Sequence, residues 1–230
     1  MTLIVALVGE GDAVLAADSK GRSGDGGGYY ASTINKLKRV NKNWILGVAG
    51  SQNGLDMYDT IRIASDSFSP DIHVGASQYA LRMRELYKQQ EYKDSSSFFL
   101  AGAGEKYVAI YRWTLERASD GTVDFSGVNR VIEKDAIGAE LHGALYFAYA
   151  FHKPAMGRAQ RISLAHLCVT EACKQDPRVG LPVEVGLVCL DRDPQLFSAD
   201  HLREVAEHNR EIISEFHEMI LEAHPQIDGL

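Results

Sequence analysis

The stretch Thr2-Leu3-Ile4-Val5-Ala6-Leu7-Val8-Gly9-Glu10-Gly11-Asp12-Ala13-Val14-Leu15-Ala16-Ala17-Asp18 decides the fold. Two short apolar runs, Leu3 to Val8 and Ala13 to Ala17, are parted by Gly9-Glu10-Gly11-Asp12, residues that suit a tight reversal. The chain is therefore expected to open with a β-hairpin. A second hairpin is expected from Leu37 to Val40 and Trp44 to Ala49, separated by Asn41-Lys42-Asn43. Between the two lies Gly24 to Gly28, a loop by composition.

Beyond residue 50 the period changes. Leu55, Tyr58, Ile61 and Ile63 begin a helical pattern, and after Pro70 the series Ile72, Tyr79, Met83, Leu86 and Tyr87 begins another. Strand character returns at Ser97 to Ala103, Tyr107 to Trp113 and Asn129 to Glu133. Helices are expected near Leu141 to Phe151 and Ser163 to Lys174, a strand at Val183 to Leu190, and a last helix from about Asp200 to Ala223. Strand groups bracketing helix pairs predict an α/β (α+β) architecture with two sheets sandwiched between helix layers. Residues 1–192 are read as one domain and 199–224 as a helical extension.

Size and charge narrow the function. A chain of 230 residues with 45% hydrophobic content can bury a full core as a single domain. With 24 basic against 31 acidic residues and a net charge of -7, it lacks the basic excess that binding a phosphate backbone needs, so nucleic acid is not an expected partner. Cys168, Cys173 and Cys189 are odd in number and form no C-x-x-C pair, and they read as reduced core residues. The N-terminal apolar run stops at Gly9, and no stretch approaches the about eighteen apolar residues of a membrane span. A cytoplasmic protein is expected.

Candidate chemistry concentrates in the first fifty residues. Methionine before a small residue is normally trimmed, so Thr2 would carry a free α-amine and a hydroxyl on one residue, a nucleophile with its own base. Asp18 ends the second strand and Lys36 is expected to start the third, which puts both at strand ends near the chain start. An ammonium at Lys36 would favour the less positive forms of the Thr2 amine and hydroxyl, and Asp18 would hold it charged and in place. Taken singly, an Asp or Lys at a strand end is ordinarily a solvated charge. Gly47-Val48-Ala49-Gly50-Ser51-Gln52 passes from strand into helix, where small residues let backbone N–H groups face an incoming carbonyl oxygen; a plain glycine turn is the other reading.

Jointly these motifs resemble the β-type subunits of proteasomes and of the related bacterial two-component peptidase. Thr2-Leu3-Ile4-Val5-Ala6 is similar to the family's mature start, Val14-Leu15-Ala16-Ala17-Asp18-Ser19 to its second strand, and Lys36-Leu37 and Ala49-Gly50 to its lysine and oxyanion-glycine signatures. The likeness runs to about Leu190, and among bacterial relatives the chain looks most like the stand-alone proteasome homologues. The resemblance implies a four-layer αββα sandwich of the N-terminal nucleophile hydrolase type. It also implies threonine peptidase activity on unfolded protein or peptides inside a homo-oligomer of stacked rings, fed by an unfoldase or cap that the sequence does not identify. Thr2 would be the nucleophile, Asp18 and Lys36 its polarising pair, and the Gly50 N–H part of the oxyanion hole. Because α-type subunits carry an extra N-terminal helix and the first strand here is expected to begin at residue 3, an α-type subunit is not expected.

Departures from the family pattern bear on activity. In Ala136-Ile137-Gly138-Ala139-Glu140, Ala139 stands where the family usually has a serine. In Gln175-Asp176-Pro177-Arg178-Val179-Gly180, Asp176 keeps the family aspartate, but Val179 replaces a second serine. A lost neutral hydrogen bond costs ~1 kcal/mol. Arg22 replaces a common threonine in the segment that the family uses to hold substrate as an added strand, and Val48 is expected to touch substrate there too. Gly24 to Gly28 lacks the Lys-Ser or Lys-Thr of a phosphate loop, and the histidine pairs His201/His208 and His217/His224 are seven apart, not four, so neither cofactor nor metal is expected.

At the C-terminus, Leu202, Val205, Asn209, Ile212, Phe216 and Met219 follow a 3, 4, 3, 4, 3 spacing, an a/d stripe with one polar member. Such a stripe calls for a partner surface, either on its own subunit or, as favoured here, on neighbouring subunits. Three function classes follow: a threonine peptidase, a catalytically weak or silent ring motivated by Ala139 and Val179, and a non-peptidase amidase of the same nucleophile type.

Overall fold

The computed structural model describes residues 2–23, 30–62, 67–90, 94–138 and 144–222. The expected Gly24 to Gly28 loop, Ile63, the start of the helix expected at Leu141, and Ala139 lie outside them.

β1 (Leu3–Val8) and β2 (Asp12–Asp18) pair antiparallel with Ile4 opposite Ala17, and the reversal is closed by the Gly9 N–H donating to the Asp12 carbonyl. β3 (Lys20–Ser23) and β4 (Tyr30–Thr33), to which the sequence pattern assigns no element, form a separate two-stranded ribbon. β5 (Leu37–Arg39) and β6 (Trp44–Gly50) make the second hairpin. Two helices follow, α1 (Gln52–Arg62) and α2 (Ile72–Gln89), the latter capped by the Asp71 side chain accepting from the His73 and Val74 N–H groups.

β7 (Ser96–Ala103), β8 (Val108–Arg117), β9 (Val123–Phe125), β10 (Asn129–Val131) and β11 (Lys134–Gly138) come next. The strand expected at Asn129 to Glu133 ends at Val131, because the chain bends at Ile132-Glu133, and β11, which was not expected, follows in the other sheet. The chain ends with α3 (Ala144–Phe151), α4 (Arg158–Gln175), β12 (Val183–Cys189), β13 (Arg192–Phe197) and α5 (Arg203–Glu222).

One sheet has the order β11-β1-β2-β12-β13, the other β10-β8-β7-β6-β5 with β9 against β8. β13 extends the first sheet past residue 192. Side chains alternate across each strand, and three apolar layers result. Ile4, Ala6, Leu15, Ile45, Phe99 and Ile110 fill the space between the sheets. Trp44, Leu46, Phe98 and Trp113 pack under α1 and α2. Leu3, Val5, Val14, Val185 and Leu187 pack under α4. The expected αββα sandwich is the observed one, and its inter-sheet gap opens at the end where β1 begins and β2 finishes.

Candidate active site

Thr2 sits just ahead of β1 and is buried. β1 runs antiparallel to both β2 and β11, so its first residues lie beside the end of β2 and the end of β11. Leu3 is paired with Gly138, whose φ is +94°, and any side chain at Gly138 would collide with the Thr2 carbonyl oxygen. Glycine is required there for both reasons.

Asp18, the last residue of β2, is wholly buried and surrounded by donors. Its Oδ1 accepts from the Leu3 N–H at 2.9 Å and from the Lys36 ammonium at 2.7 Å, and its Oδ2 accepts from the Lys20 and Gly180 N–H groups at 3.1 Å each. Four donors hold one carboxylate, so its position is set by two strands, the lysine just ahead of β5 and the loop after α4. Lys36 is the residue before β5, not its first member. The Lys36 ammonium also donates to the Lys20 carbonyl at 2.9 Å, and the Lys36 carbonyl accepts from the Val48 N–H at 3.0 Å. Burial pulls the Lys36 pKa below the ordinary lysine value, while the Asp18 carboxylate opposes that fall.

Thr2 and Lys36 open on one small cavity of about 120 Å³, walled also by Val48, Gly50, Ile34 and Leu55. Gly50 ends β6 with φ +120°, and a side chain on it would strike the Ser95 carbonyl oxygen. The chain turns there into α1, whose N-terminal N–H groups begin two residues later. A glycine at positive φ followed by a helix start is an arrangement that can receive a developing oxyanion.

The other expected site residues are placed around this cavity. Asp176 is buried at the C-cap of α4 and is bonded by the Arg178 guanidinium at 2.8 and 3.0 Å and the Arg178 N–H at 2.7 Å. The turn it starts delivers the Gly180 N–H to Asp18, and Lys20 donates to Pro177 from the other side. Asp176 therefore braces the loop that cages Asp18; it is not in the cavity wall. Val179 is buried, with its N–H on the Asp176 carbonyl, so no hydroxyl is offered at that position. Arg22 lies in β3 opposite Ala31, one residue beyond Gly21 of the cavity wall.

Sequence reasoning missed Ile34 and Leu55 as walls and Glu184, which bonds the Lys36 backbone, as a contact. It also missed Cys173, whose thiol lies within the field of Asp18, Lys36 and Lys20 and is pushed up to about 12 by burial, and so stays protonated. Among the described residues no three His, Cys, Asp or Glu side chains converge to hold a metal ion. No helix there is long and apolar enough to cross a membrane.

A much larger cavity, about 1230 Å³, is elsewhere, between α3, α4 and α5. Leu202, just ahead of α5, and Asn209 within it are buried, and Asn209 bonds the Ser163 side chain and carbonyl and approaches His166. Ile212, Phe216 and Met219 are 41, 46 and 58% exposed. The stripe thus docks on its own subunit over its first half and leaves the second half open, where the sequence reading had favoured neighbouring subunits for the whole.

Two facing antiparallel sheets between helix layers, entered by a threonine at the head of the first strand, define the proteasome-like N-terminal nucleophile hydrolase fold. The solved structure of Anbu (ancestral beta-subunit) from Yersinia bercovieri superposes with a TM-score of 0.74, at 15% sequence identity, over 99% of this chain and 100% of that one. No protein-family profile and no curated protein sequence matches the chain.

Proposed function

We propose that the chain is a threonine-type peptidase subunit of a self-assembling, proteasome-like ring in the cytoplasm, with Thr2 the nucleophile once Met1 is removed. The observation that carries the reading is Asp18. A wholly buried carboxylate with four donors fixes the Lys36 ammonium in the cavity that Thr2 also lines. An α-amine has a pKa of about 7.7 to 8.0, and a nearby ammonium lowers it, so near neutral pH the Thr2 amine can take the hydroxyl proton. The hydroxyl oxygen then attacks the scissile carbonyl, the Gly50 N–H receives the oxyanion, and the ammonium group of Lys36 stabilises the negative charge as it develops. Peptide substrate would lie along β3, with Arg22 and Val48 as the positions that bias its choice. Asp176 acts through the loop that holds Asp18.

The β-subunit named in the structural neighbour supports assembly into a ring. The open half of α5, with Ile212, Phe216 and Met219, supplies an apolar surface for a subunit contact. A second reading, a ring with weak or no turnover, is favoured by Val179, which places a buried methyl group where the related family keeps a hydroxyl. Hydrolysis of unfolded protein by wild type and by Thr2→Ala separates the two. The peptidase reading expects turnover that vanishes in the variant, and turnover that is equal in both contradicts it.

A further inference from the structure

Lys36 is held from two directions, and only one of them involves Asp18. Along β12, Val183, Val185 and Leu187 face α4, so the alternation turns Glu184, Gly186 and Val188 toward the second sheet. Val188 joins the inter-sheet core, and a side chain at Gly186 would press on Ile45 of β6. Glu184 is the member of this face at the open end, and there a carboxylate replaces the apolar residue that an inter-sheet position ordinarily holds. Its Oε2 crosses the gap and accepts from the Lys36 N–H at 2.9 Å and the Leu37 N–H at 3.3 Å. These are the N–H groups that open β5, and the Lys36 carbonyl is at the same time bound by Val48.

We propose that Glu184 is a positioning residue for Lys36: from the opposite sheet it fixes the lysine backbone and, beside Asp18, adds the negative charge that keeps the side chain an ammonium. Removing one of two carboxylates from a buried ammonium makes its deprotonation easier. The charged and titratable groups that face this pair are Asp18 of β2, Lys20 of β3, Lys38 of β5 and Cys173 of α4. Burial raises the Glu184 pKa, and its contacts with the Lys36 and Leu37 N–H groups and the charges of Lys38 and Lys36 restrain that rise. Asp18 anchors the tip of Lys36 and Glu184 its base, so the first sheet grips the lysine at both ends.

The test is Glu184→Gln, which keeps the volume and an acceptor oxygen but not the charge, alongside Glu184→Asp, which keeps the charge. Two readouts are taken on the full chain. One is the Lys36 Nζ titration by NMR of protein labelled with ¹⁵N-lysine and assigned with Lys36→Arg. The other is the pH dependence of kcat/KM. In Glu184→Gln the Lys36 titration and the alkaline limb of kcat/KM both move down by about one pH unit, the low end of what a neighbouring opposite charge does. Glu184→Asp stays near wild type. Unchanged Lys36 titration in folded Glu184→Gln overturns the proposal, and loss of activity with an unmoved alkaline limb does the same by showing a purely structural brace. The kinetic arm rests on the peptidase reading. If the wild type itself shows no Thr2-dependent turnover, that reading fails while the NMR titration still decides the role of Glu184.

Discussion

Replacing Asp18 with asparagine tests the frame of the site. The variant keeps the shape of the side chain but removes its charge and turns one acceptor oxygen into an NH₂ donor. With the amide oxygen left to serve Leu3 and Lys36, the new NH₂ faces the Lys20 and Gly180 N–H groups, donors against donors, in a fully buried position. A buried donor left unpaired costs about 1–3 kcal/mol, and breaking a buried ion pair by removing one partner costs about 3–5 kcal/mol. The two descriptions overlap, so the total expected is about 3–5 kcal/mol. For a chain of this size each kcal/mol lowers Tm by about 2–4 °C, which predicts a fall of roughly 6–20 °C. Thermal unfolding by circular dichroism at fixed protein concentration reads it. The double variant Asp18→Asn, Lys36→Met, which removes the stranded cation as well, should recover part of the loss. A single variant within 2 °C of wild type, at the precision set by roughly 2–4 °C per kcal/mol, would refute the reasoning.

Gly138→Ala and Gly50→Ala both force a side chain into backbone atoms at a positive φ. Each is expected to cost activity, with Gly50→Ala losing kcat more than stability, and normal kcat in a folded Gly50→Ala protein removes that residue from the oxyanion site. Phe216→Glu on the open half of α5 should leave the Tm of the monomer unchanged while lowering the native mass on dilution; unchanged assembly would take this face out of the subunit contacts. His152 and His166 are buried, and burial lowers both pKa values, so the folded chain resists protonating them. The unfolded histidine pKa is about 6.5, so their stabilising contribution is complete above that pH and is lost as the pH falls through it toward their folded values. Urea midpoints at pH 7.5 and 5.5 should therefore fall, and fall less in His166→Gln, whose oxygen can still accept from Asn209; equal falls would show that His166 does not titrate in this way. The raised pKa of Glu184 acts in the opposite sense.

Which parts of this were legible in the sequence follows from the range of each signal. β1, β2, β6, β7 and β12 are buried runs bounded by turn residues, and such runs announce themselves locally. β13 does not, because Arg192-Asp193-Pro194 reads as a loop; it is a strand because it lies at the sheet edge, where a proline costs no ladder bond. The β3 and β4 ribbon was hidden by the glycine-rich segment between its arms. In the site, Asp18 and Lys36 could be read because strand ends and a family pattern point to them together. Glu184 could not be: its partners are backbone N–H groups 147 and 148 residues away, and a backbone donor leaves no mark on a sequence. The α5 stripe was visible as a period, but a period says only that a face is covered. Asn209 settles the first half, since a polar residue in that stripe is buried against Ser163 of its own chain.

The central claim is that Thr2, freed of Met1, is the nucleophile beside Lys36. Its most direct measurement is the intact mass of the purified protein after reaction with an electrophile that captures an N-terminal threonine amine and hydroxyl together, followed by peptide mapping. The account predicts a Met1-free chain carrying one adduct at Thr2, formed more slowly in Lys36→Ala. A chain that retains Met1, or one that lacks it and takes no adduct at Thr2, contradicts it.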